Sequence, residues 1–240
     1  MLPGPCDAHV VVIGVRGTNA PAGSSLAAGG RVWKAGGFGS NVTPVIDKLK
    51  SQFPLELKTW VVSLNYPAKA EVNLIDNSNS YVSSRNSGVA TLKAELESYS
   101  SCAVRPMVLL IGYSQGADVV STTLGSTMNA TAKAQVKGAV AFGDPGYRPN
   151  QPVNSPGVNP GVIGMWPRAD DVQNRLNGLK TYGWSLDSNS MASRQVLRIY
   201  CRSGDAPCQN NLLAGWGIHS DYSMYVGNAA AFLDNFIRWG

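Results

Sequence analysis

Charged side chains are scarce in this chain, since Asp, Glu, Lys and Arg together account for 15% of its 240 residues. The remaining surface must therefore consist mainly of neutral polar residues and glycine. Hydrophobic residues make up 44% of the chain, which is enough to build a core and is atypical of a disordered protein. The length suits one large domain better than two small ones. We therefore expect a single domain over residues 1–240.

The chain also lacks clustered positive charge and long apolar runs. Its formal net charge is +5 and its pI is about 9.1, but the basic residues are scattered along the sequence. A nucleic-acid binder usually concentrates Lys and Arg on one face, so we expect no nucleic-acid partner. No apolar stretch approaches the roughly 18 residues that a membrane span needs. We expect no transmembrane segment, and we expect a monomer.

The four cysteines have neither a CxxC spacing nor a histidine cluster near them, so we expect no metal and no other cofactor. Their even number allows two disulfides in three pairings, or four free thiols. Cys201 and Cys208 bracket a short turn, RSGDAP, so we pair these two, which leaves Cys6 with Cys102. Disulfides indicate an oxidising compartment. The first ten residues do not resemble a signal peptide, and we expect a secreted protein whose leader is absent from this chain.

Five short apolar runs predict β-strands, and helical patterns lie between them. β-Branched residues and continuous apolar character indicate strands buried on both faces. This alternation predicts a three-layer α/β/α sandwich around a central five-stranded parallel sheet. The predicted strands are 8–15, 59–66, 107–114, 136–144 and 195–201. One helix is predicted after a cap at Asn41 or Thr43. The other predicted helices are 84–102, 115–128, 169–176 and the segment that starts at His219, and the predicted loops are 20–40 and 145–165.

The sequence GYSQG at 112–116 matches the G-x-S-x-G pattern of a nucleophilic serine. In a Gly- and Ser-rich chain the match alone is weak evidence. Its position strengthens it, because the most apolar predicted strand lies directly before Ser114 and a predicted helix follows. A sharp turn between strand and helix exposes the serine hydroxyl, so we predict Ser114 as a nucleophile.

A nucleophilic serine needs a histidine base and an acid that orients the base. In an α/β hydrolase the chain order is Ser, acid, His, which selects His219 and makes His9 structural. Asp205 is the preferred acid because the predicted Cys201–Cys208 disulfide would fix its position. Asp144 is the main rival, and we interpret Asp118 as helical surface or a local hydrogen bond. The other candidates are Asp170 and Asp171, which suit the start of a helix, and Asp187, in polar loop sequence.

Stabilising the oxyanion of an acyl-transfer reaction requires hydrogen-bond donors aimed at the developing charge. The backbone N–H of Gln115, directly after the nucleophile, is one expected donor. Thr18 follows the first predicted strand and offers both an N–H and a hydroxyl, although it also fits a simple turn residue.

Taken together, these motifs resemble the cutinase family. The matching segments are VRGT at 15–18, GYSQG at 112–116, FGDP at 142–145, YCRSGDAPC at 200–208 and the histidine at 219. The resemblance implies a lidless α/β hydrolase with the triad Ser114, Asp205 and His219, an oxyanion hole at Thr18 and Gln115, and both disulfides. Residues 19–40 and 147–193 depart from the family pattern.

Several apolar residues are candidates for binding the substrate. Leu212, Leu213 and Trp216 precede the predicted base and either line an acyl groove or belong to the core. Trp166, with Trp33 and Phe38, could extend an apolar rim or face sugar rings.

The chain is therefore expected to be a carboxylic ester hydrolase that acts on lipids or polyesters. A polysaccharide deacetylase of the acetylxylan type, a mycolyl-ester hydrolase and an inactive cell-wall-binding protein remain alternatives.

Overall fold

The computed structural model of the chain describes residues 4–23, 26–27, 31–32, 37–70, 80–158, 160–211 and 216–239. Five parallel strands form its central sheet, and they confirm the five strands predicted from apolar runs. They are β1 (Val10–Val15), β4 (Thr59–Ser63), β5 (Met107–Tyr113), β6 (Val136–Phe142) and β9 (Leu197–Tyr200). Their spatial order in the sheet is β4-β1-β5-β6-β9.

Two small antiparallel pairs lie outside the central sheet. One joins β2 (Leu26–Ala27) to β3 (Arg31–Val32), within a segment predicted as loop. The other is a hairpin of β7 (Lys180–Ser185) and β8 (Ser190–Gln195), which the sequence analysis did not predict. Most of the hairpin side chains are exposed or half-buried, so it lacks the apolar pattern that marks a core strand.

Seven α-helices surround the sheet in the described part of the chain. They are α1 (Thr43–Gln52), α2 (Ser80–Ser100), α3 (Gln115–Gly125), α4 (Ala130–Gln135), α5 (Asp170–Asn177), α6 (Trp216–His219) and α7 (Val226–Trp239). Single 3₁₀ turns cover Pro5–Asp7, Pro207–Gln209 and Ser223–Tyr225. His219 therefore ends a short helix instead of starting the last one, because the chain turns again before Val226.

The sheet separates two apolar cores, as a three-layer α/β/α sandwich requires. Alternate residues of β1 face opposite sides: Val11 and Ile13 pack with α2 and α3, whereas Val10 and Val12 pack with α1 and α7. All six residues of β1 are buried, which explains its continuous apolar sequence.

Counted along the chain, the five sheet strands have the order 2-1-3-4-5, so the winding direction reverses between β1 and β5. In open α/β sheets, ligands bind beyond the carboxyl ends of the strands at such a switch point. Ser114 follows β5 and Thr18 lies just after β1, so both occupy this position. In the part of the chain that the structure describes, no helix is long and apolar enough to cross a bilayer.

Candidate active site

Ser114 lies on a sharp turn between β5 and α3. Its backbone has φ 54° and ψ −123°, a positive-φ conformation that a non-glycine residue adopts only under strain. The turn requires a glycine two residues later, because a Cβ at Gly116 would lie 2.2 Å from the carbonyl oxygen of Val15. Helix α3 can thus begin directly against the end of β1. The strand–turn–helix context expected for the serine is present.

A continuous chain of hydrogen bonds connects Ser114, His219 and Asp205. His219 Nε2 lies 2.9 Å from Ser114 Oγ, and His219 Nδ1 lies 2.8 Å from Asp205 Oδ2. All three side chains are buried, and Asp205 is fully so. A carboxylate that accepts a hydrogen bond from Nδ1–H keeps the proton on Nδ1, which leaves Nε2 free to accept the serine proton. The three residues selected from the sequence are therefore in reach of one another.

Asp205 is held by two further donors. The backbone N–H of Cys208 donates to Asp205 Oδ1 (3.0 Å), and the Tyr222 hydroxyl donates to Asp205 Oδ2 (2.7 Å). The Cys201–Cys208 disulfide closes the loop that carries this carboxylate, and Cys6 is bonded to Cys102. Both disulfides have the pairing expected from the sequence.

The sequence analysis did not identify Tyr222 and Asn41 as parts of the site. The Asn41 side chain accepts from the Tyr222 N–H (3.0 Å) and donates to the Ser220 carbonyl (3.1 Å), thereby fixing the turn after His219. The helix expected to follow a cap at Asn41 or Thr43 begins at Thr43 instead, with Asn41 outside it. Asn41 is 181 positions from Tyr222, and no local pattern marks such a contact.

Burial and the charge of Asp205 raise the pKa of Tyr222 well above its usual value. The same two causes raise the pKa of Tyr113, whose hydroxyl donates to the His219 carbonyl (3.0 Å). Both phenols therefore remain protonated donors beside the histidine and the carboxylate.

The rival acid Asp144 has a different environment. It forms a buried ion pair with Arg168 (2.6 Å) and accepts from the Ser121 hydroxyl (2.6 Å). Asp118 is fully buried, so its interpretation as helical surface was wrong, although it does accept the expected local hydrogen bond from Thr122 (2.9 Å). The remaining candidates form ion pairs elsewhere: Asp170 with Arg148, Asp171 with Arg175, and Asp187 with Arg198.

The expected oxyanion donors lie beside the serine. The Gln115 N–H is in the first turn of α3, where no preceding helical carbonyl can accept from it. The Gln115 side chain donates to the Lys69 carbonyl (2.8 Å) and accepts from Ser84 (2.8 Å), which anchors this residue to α2 and to the loop after β4. Thr18 lines the same cleft as Ser114.

A cleft of about 310 Å³ opens over Ser114 and His219. Its wall includes Trp166, whose ring stacks on Tyr81 with 4.0 Å between ring centroids and 14° between planes. Trp216 lies edge-on to His219, and 54% of its surface is exposed. The remaining lining residues are mostly apolar or small and include Ala70, Pro145, Met165 and Pro207.

The structure brings together some of the residues proposed for substrate binding. Trp166 and Trp216 line the cleft, so for Trp216 the position in the cleft holds and the alternative position in the core does not. Phe38 does not extend its rim, because it is 3% exposed and packs in the core beside α1. Leu212, Leu213 and Trp33 lie outside the described residues.

His9 is remote from the cleft. It precedes β1 at the opposite end of the sheet, and its Nδ1 accepts a hydrogen bond from the Lys58 N–H (3.2 Å). Among the residues that the structure describes, no group of three or more His, Cys, Asp or Glu side chains could hold a metal ion.

The sheet order, the serine turn and the hydrogen-bonded triad define an α/β-hydrolase fold with the site geometry of a serine hydrolase. Comparison with known proteins gives the family. The family model described as Cutinase matches residues 6–237, and the chain belongs to the cutinase family.

Individual relatives agree with this assignment. Acetylxylan esterase 2 of Talaromyces purpureogenus is 29% identical over 125 residues, which are 47% of this chain and 51% of that protein. The chain thus matches about half the length of this curated relative.

Two solved structures share the fold. The catalytic core domain of acetyl xylan esterase from Trichoderma reesei has a TM-score of 0.68 at 20% identity and covers 95% of this chain and 98% of its own. A Trichoderma reesei cutinase in complex with a phosphonate inhibitor has a TM-score of 0.56 at 21% identity and covers 97% and 78%.

Proposed function

We propose that this chain is a secreted carboxylic ester hydrolase that works through an acyl-serine intermediate. The observation that carries the proposal is the unbroken contact from Ser114 Oγ through His219 to Asp205, with distances of 2.9 and 2.8 Å. Membership of the cutinase family supports the same reaction class. The two disulfides support secretion, because such bonds persist in oxidising compartments.

The reaction begins with Ser114 Oγ attacking the ester carbonyl carbon while His219 Nε2 accepts the serine proton. The N–H of Gln115 and the donors of Thr18 stabilise the negative oxygen of the tetrahedral intermediate. The intermediate collapses as its C–O bond breaks, and His219 gives the proton to the departing alcohol. Water then attacks the acyl-serine by the same route and releases the acid. Asp205 keeps the histidine in the required tautomer and stabilises its positive charge.

The primary substrate class is a lipid or polyester of the kind cutinases hydrolyse, which fits the apolar lining of the cleft. A polysaccharide acetate is the second candidate, and a specific observation favours it. The Trp166 ring and the exposed Trp216 ring both border the cleft, and flat aromatic faces can stack on sugar rings. The acetylxylan esterases among the relatives support this alternative. Mycolyl esters remain a further substrate to test.

A fluorophosphonate probe with intact-mass detection tests the enzyme proposal. Wild type should gain one adduct, and Ser114→Ala should gain none. Ser126→Ala is the matched control, because it makes the same change at the other end of α3 and should label like wild type. A wild-type protein that remains unlabelled would contradict the proposal and favour an inactive wall-binding protein.

The substrate is tested by comparing p-nitrophenyl esters from acetate to palmitate with acetylated xylan and a mycolyl ester. A rate confined to acetyl groups would contradict the lipid or polyester assignment and favour the deacetylase. We also propose that the chain is a monomer with a single domain. In sedimentation, the purified protein should then behave as one compact particle of 25.4 kDa.

A further inference from the structure

One buried carboxylate beside the cleft has no part in the proposed reaction. Asp118 lies in the first turn of α3, four residues after Ser114, and is completely inaccessible to solvent. Burying a carboxylate is unfavourable unless it is paired and hydrogen-bonded. Asp118 has such partners, and two of them come from α2, outside its own helix.

The two partners from α2 are Tyr81 and Arg85. The Tyr81 hydroxyl donates to Asp118 Oδ2 (2.9 Å), and Arg85 Nη1 lies 3.3 Å from the same oxygen. Tyr81 is buried and stacks on Trp166. Asp118 thus fixes the position of a tyrosine whose ring supports one wall of the cleft.

The opposite side of the wall is also anchored. The Trp166 N–H donates to the Pro145 carbonyl (2.9 Å), and the neighbouring Met165 N–H donates to the Pro207 carbonyl (2.9 Å). Backbone contacts hold the main chain of this segment, but the indole ring itself rests on Tyr81. The orientation of the ring therefore depends on the tyrosine.

We propose that Asp118 is a positioning residue for substrate binding, acting through Tyr81 to fix the Trp166 wall of the cleft. This inference rests on the proposed esterase function and adds a determinant of selectivity to it. Asp118 touches no reacting atom, so it affects the binding of large esters, measured as KM, and does not change the rate of the chemical step. Small esters that do not reach Trp166 should be indifferent to it.

The charges around Asp118 add a pH dependence. Burial and the nearby charge of Asp144 raise the pKa of Asp118, while Arg85 and Arg168 oppose this shift. Tyr81 and Arg85 face it from α2, Asp144 from the turn after β6, and Arg168 from the segment before α5. Protonation at low pH removes the negative charge that attracts Arg85 and weakens the acceptor for Tyr81. The KM for large esters should therefore rise as the pH falls.

The test compares wild type, Asp118→Asn, Tyr81→Phe and the double variant. Ethyl acetate is the small substrate, and p-nitrophenyl octanoate and acetylated xylo-oligosaccharides are the large ones. Asp118→Asn should raise KM for at least one large substrate by about tenfold, with kcat and the ethyl acetate rate changed by less than about twofold. Asp171→Asn is the matched control, because it alters an exposed, ion-paired aspartate on α5.

The double variant distinguishes positioning from a general loss of stability. If Asp118 acts through Tyr81, adding Tyr81→Phe to Asp118→Asn should change KM by less than about twofold, since interacting residues are not additive. The rise of KM at low pH should also disappear in Asp118→Asn. If Asp118→Asn fails to fold, the Tyr81→Phe variant tests the proposal by itself. It should raise the KM for the large substrate without lowering the ethyl acetate rate.

Three results would overturn the proposal: an unchanged KM in Tyr81→Phe, additive effects of the two substitutions, or an equal loss on small and large esters. Failure of the esterase function itself would appear differently, as a wild-type protein that hydrolyses none of the three substrates. In that case Trp166 fluorescence, isolated by subtracting the Trp166→Phe spectrum, should still shift in Asp118→Asn if the wall depends on this carboxylate. An unshifted spectrum would reject the positioning role.

Discussion

Replacing Asp205 by asparagine is the most informative single perturbation of the site. The change keeps the size of the side chain and converts one acceptor oxygen into an NH₂ donor. In the folded protein the carboxylate is fully buried, and three donors point at it, from Cys208, His219 and Tyr222. An amide has only one oxygen, so it cannot accept from both sides.

Each of the two amide orientations leaves a mismatch. If the oxygen faces Cys208, the NH₂ group points at His219 and Tyr222, and the histidine must carry its proton on Nε2, where it cannot accept from Ser114. If the oxygen faces His219, the NH₂ group opposes the Cys208 N–H, which leaves a buried donor unsatisfied at about 1–3 kcal/mol. Both orientations also remove the negative charge that stabilises the protonated histidine.

The expected loss in kcat is about 10⁴-fold, the size found when this substitution forces the wrong tautomer in other serine hydrolases. That loss corresponds to about 5 kcal/mol of transition-state stabilisation. The first orientation alone accounts for most of it, because it eliminates the base.

The assay is p-nitrophenyl acetate hydrolysis, with thermal unfolding measured in parallel. Asp144→Asn is the control variant, since it also converts one carboxylate oxygen into an NH₂ group, at the rival candidate for the acid. It breaks a buried ion pair with Arg168 and should destabilise the fold by about 3–5 kcal/mol. Its loss of kcat should be at least about 100-fold smaller than that of Asp205→Asn. A folded Asp205→Asn protein that retains a tenth of the wild-type kcat would refute the assignment of the acid.

Three further predictions concern packing, covalent bonds and pH. Gly143→Ala should lower kcat at least about tenfold, because residue 143 has φ +58° and its Cβ would lie 2.8 Å from the imidazole of His219, the proposed base. Steady-state kinetics on the folded variant checks this. The Cys6–Cys102 disulfide closes a long loop, so replacing both of its cysteines by serine should lower the free energy of unfolding by about 4–5 kcal/mol. The value of kcat should change little. The same change at Cys201–Cys208 should remove only about 2–3 kcal/mol but reduce kcat, since its loop carries Asp205, the proposed acid. Denaturant titration and kinetics separate the effects of the two disulfides. Finally, the pKa of Asp118 is raised in the folded protein, so protonation of this residue favours the folded state at low pH, and the effect is lost as the pH rises through that pKa. The free energy of unfolding of wild type, measured in urea, should therefore fall relative to that of Asp118→Asn between about pH 4 and neutrality.

Much of the framework could be predicted because its signals are local. The five sheet strands are apolar on both faces, and this property is visible in any short window of the sequence. Ser114 could be selected as the candidate nucleophile because a predicted strand precedes it and a predicted helix follows it. With only two histidines in the chain, the choice of His219 required little more than chain order.

The parts that could not be predicted depend on contacts between distant segments. Asp118 has the sequence context of an exposed helical residue, yet it is buried because α2 packs across it and supplies two partners. The hairpin β7–β8 carries few buried residues and therefore has no apolar alternation. Tyr222 and Asn41 are 181 positions apart, and they meet because α1 and α7 pack together on the same face of the sheet.

The buried ion pair between Asp144 and Arg168 has a practical consequence for redesign. It joins the residues after β6 to the segment before α5, so the chain that leaves the sheet after Asp144 is tied back at Arg168. Trp166 lies within this excursion, whereas the proposed triad lies outside it. The excursion also pairs with β9 at residues 153–155, and Met165 contacts the segment that follows β9. A redesign of the substrate rim should therefore keep the ion pair and these backbone contacts and vary the side chains that border the cleft.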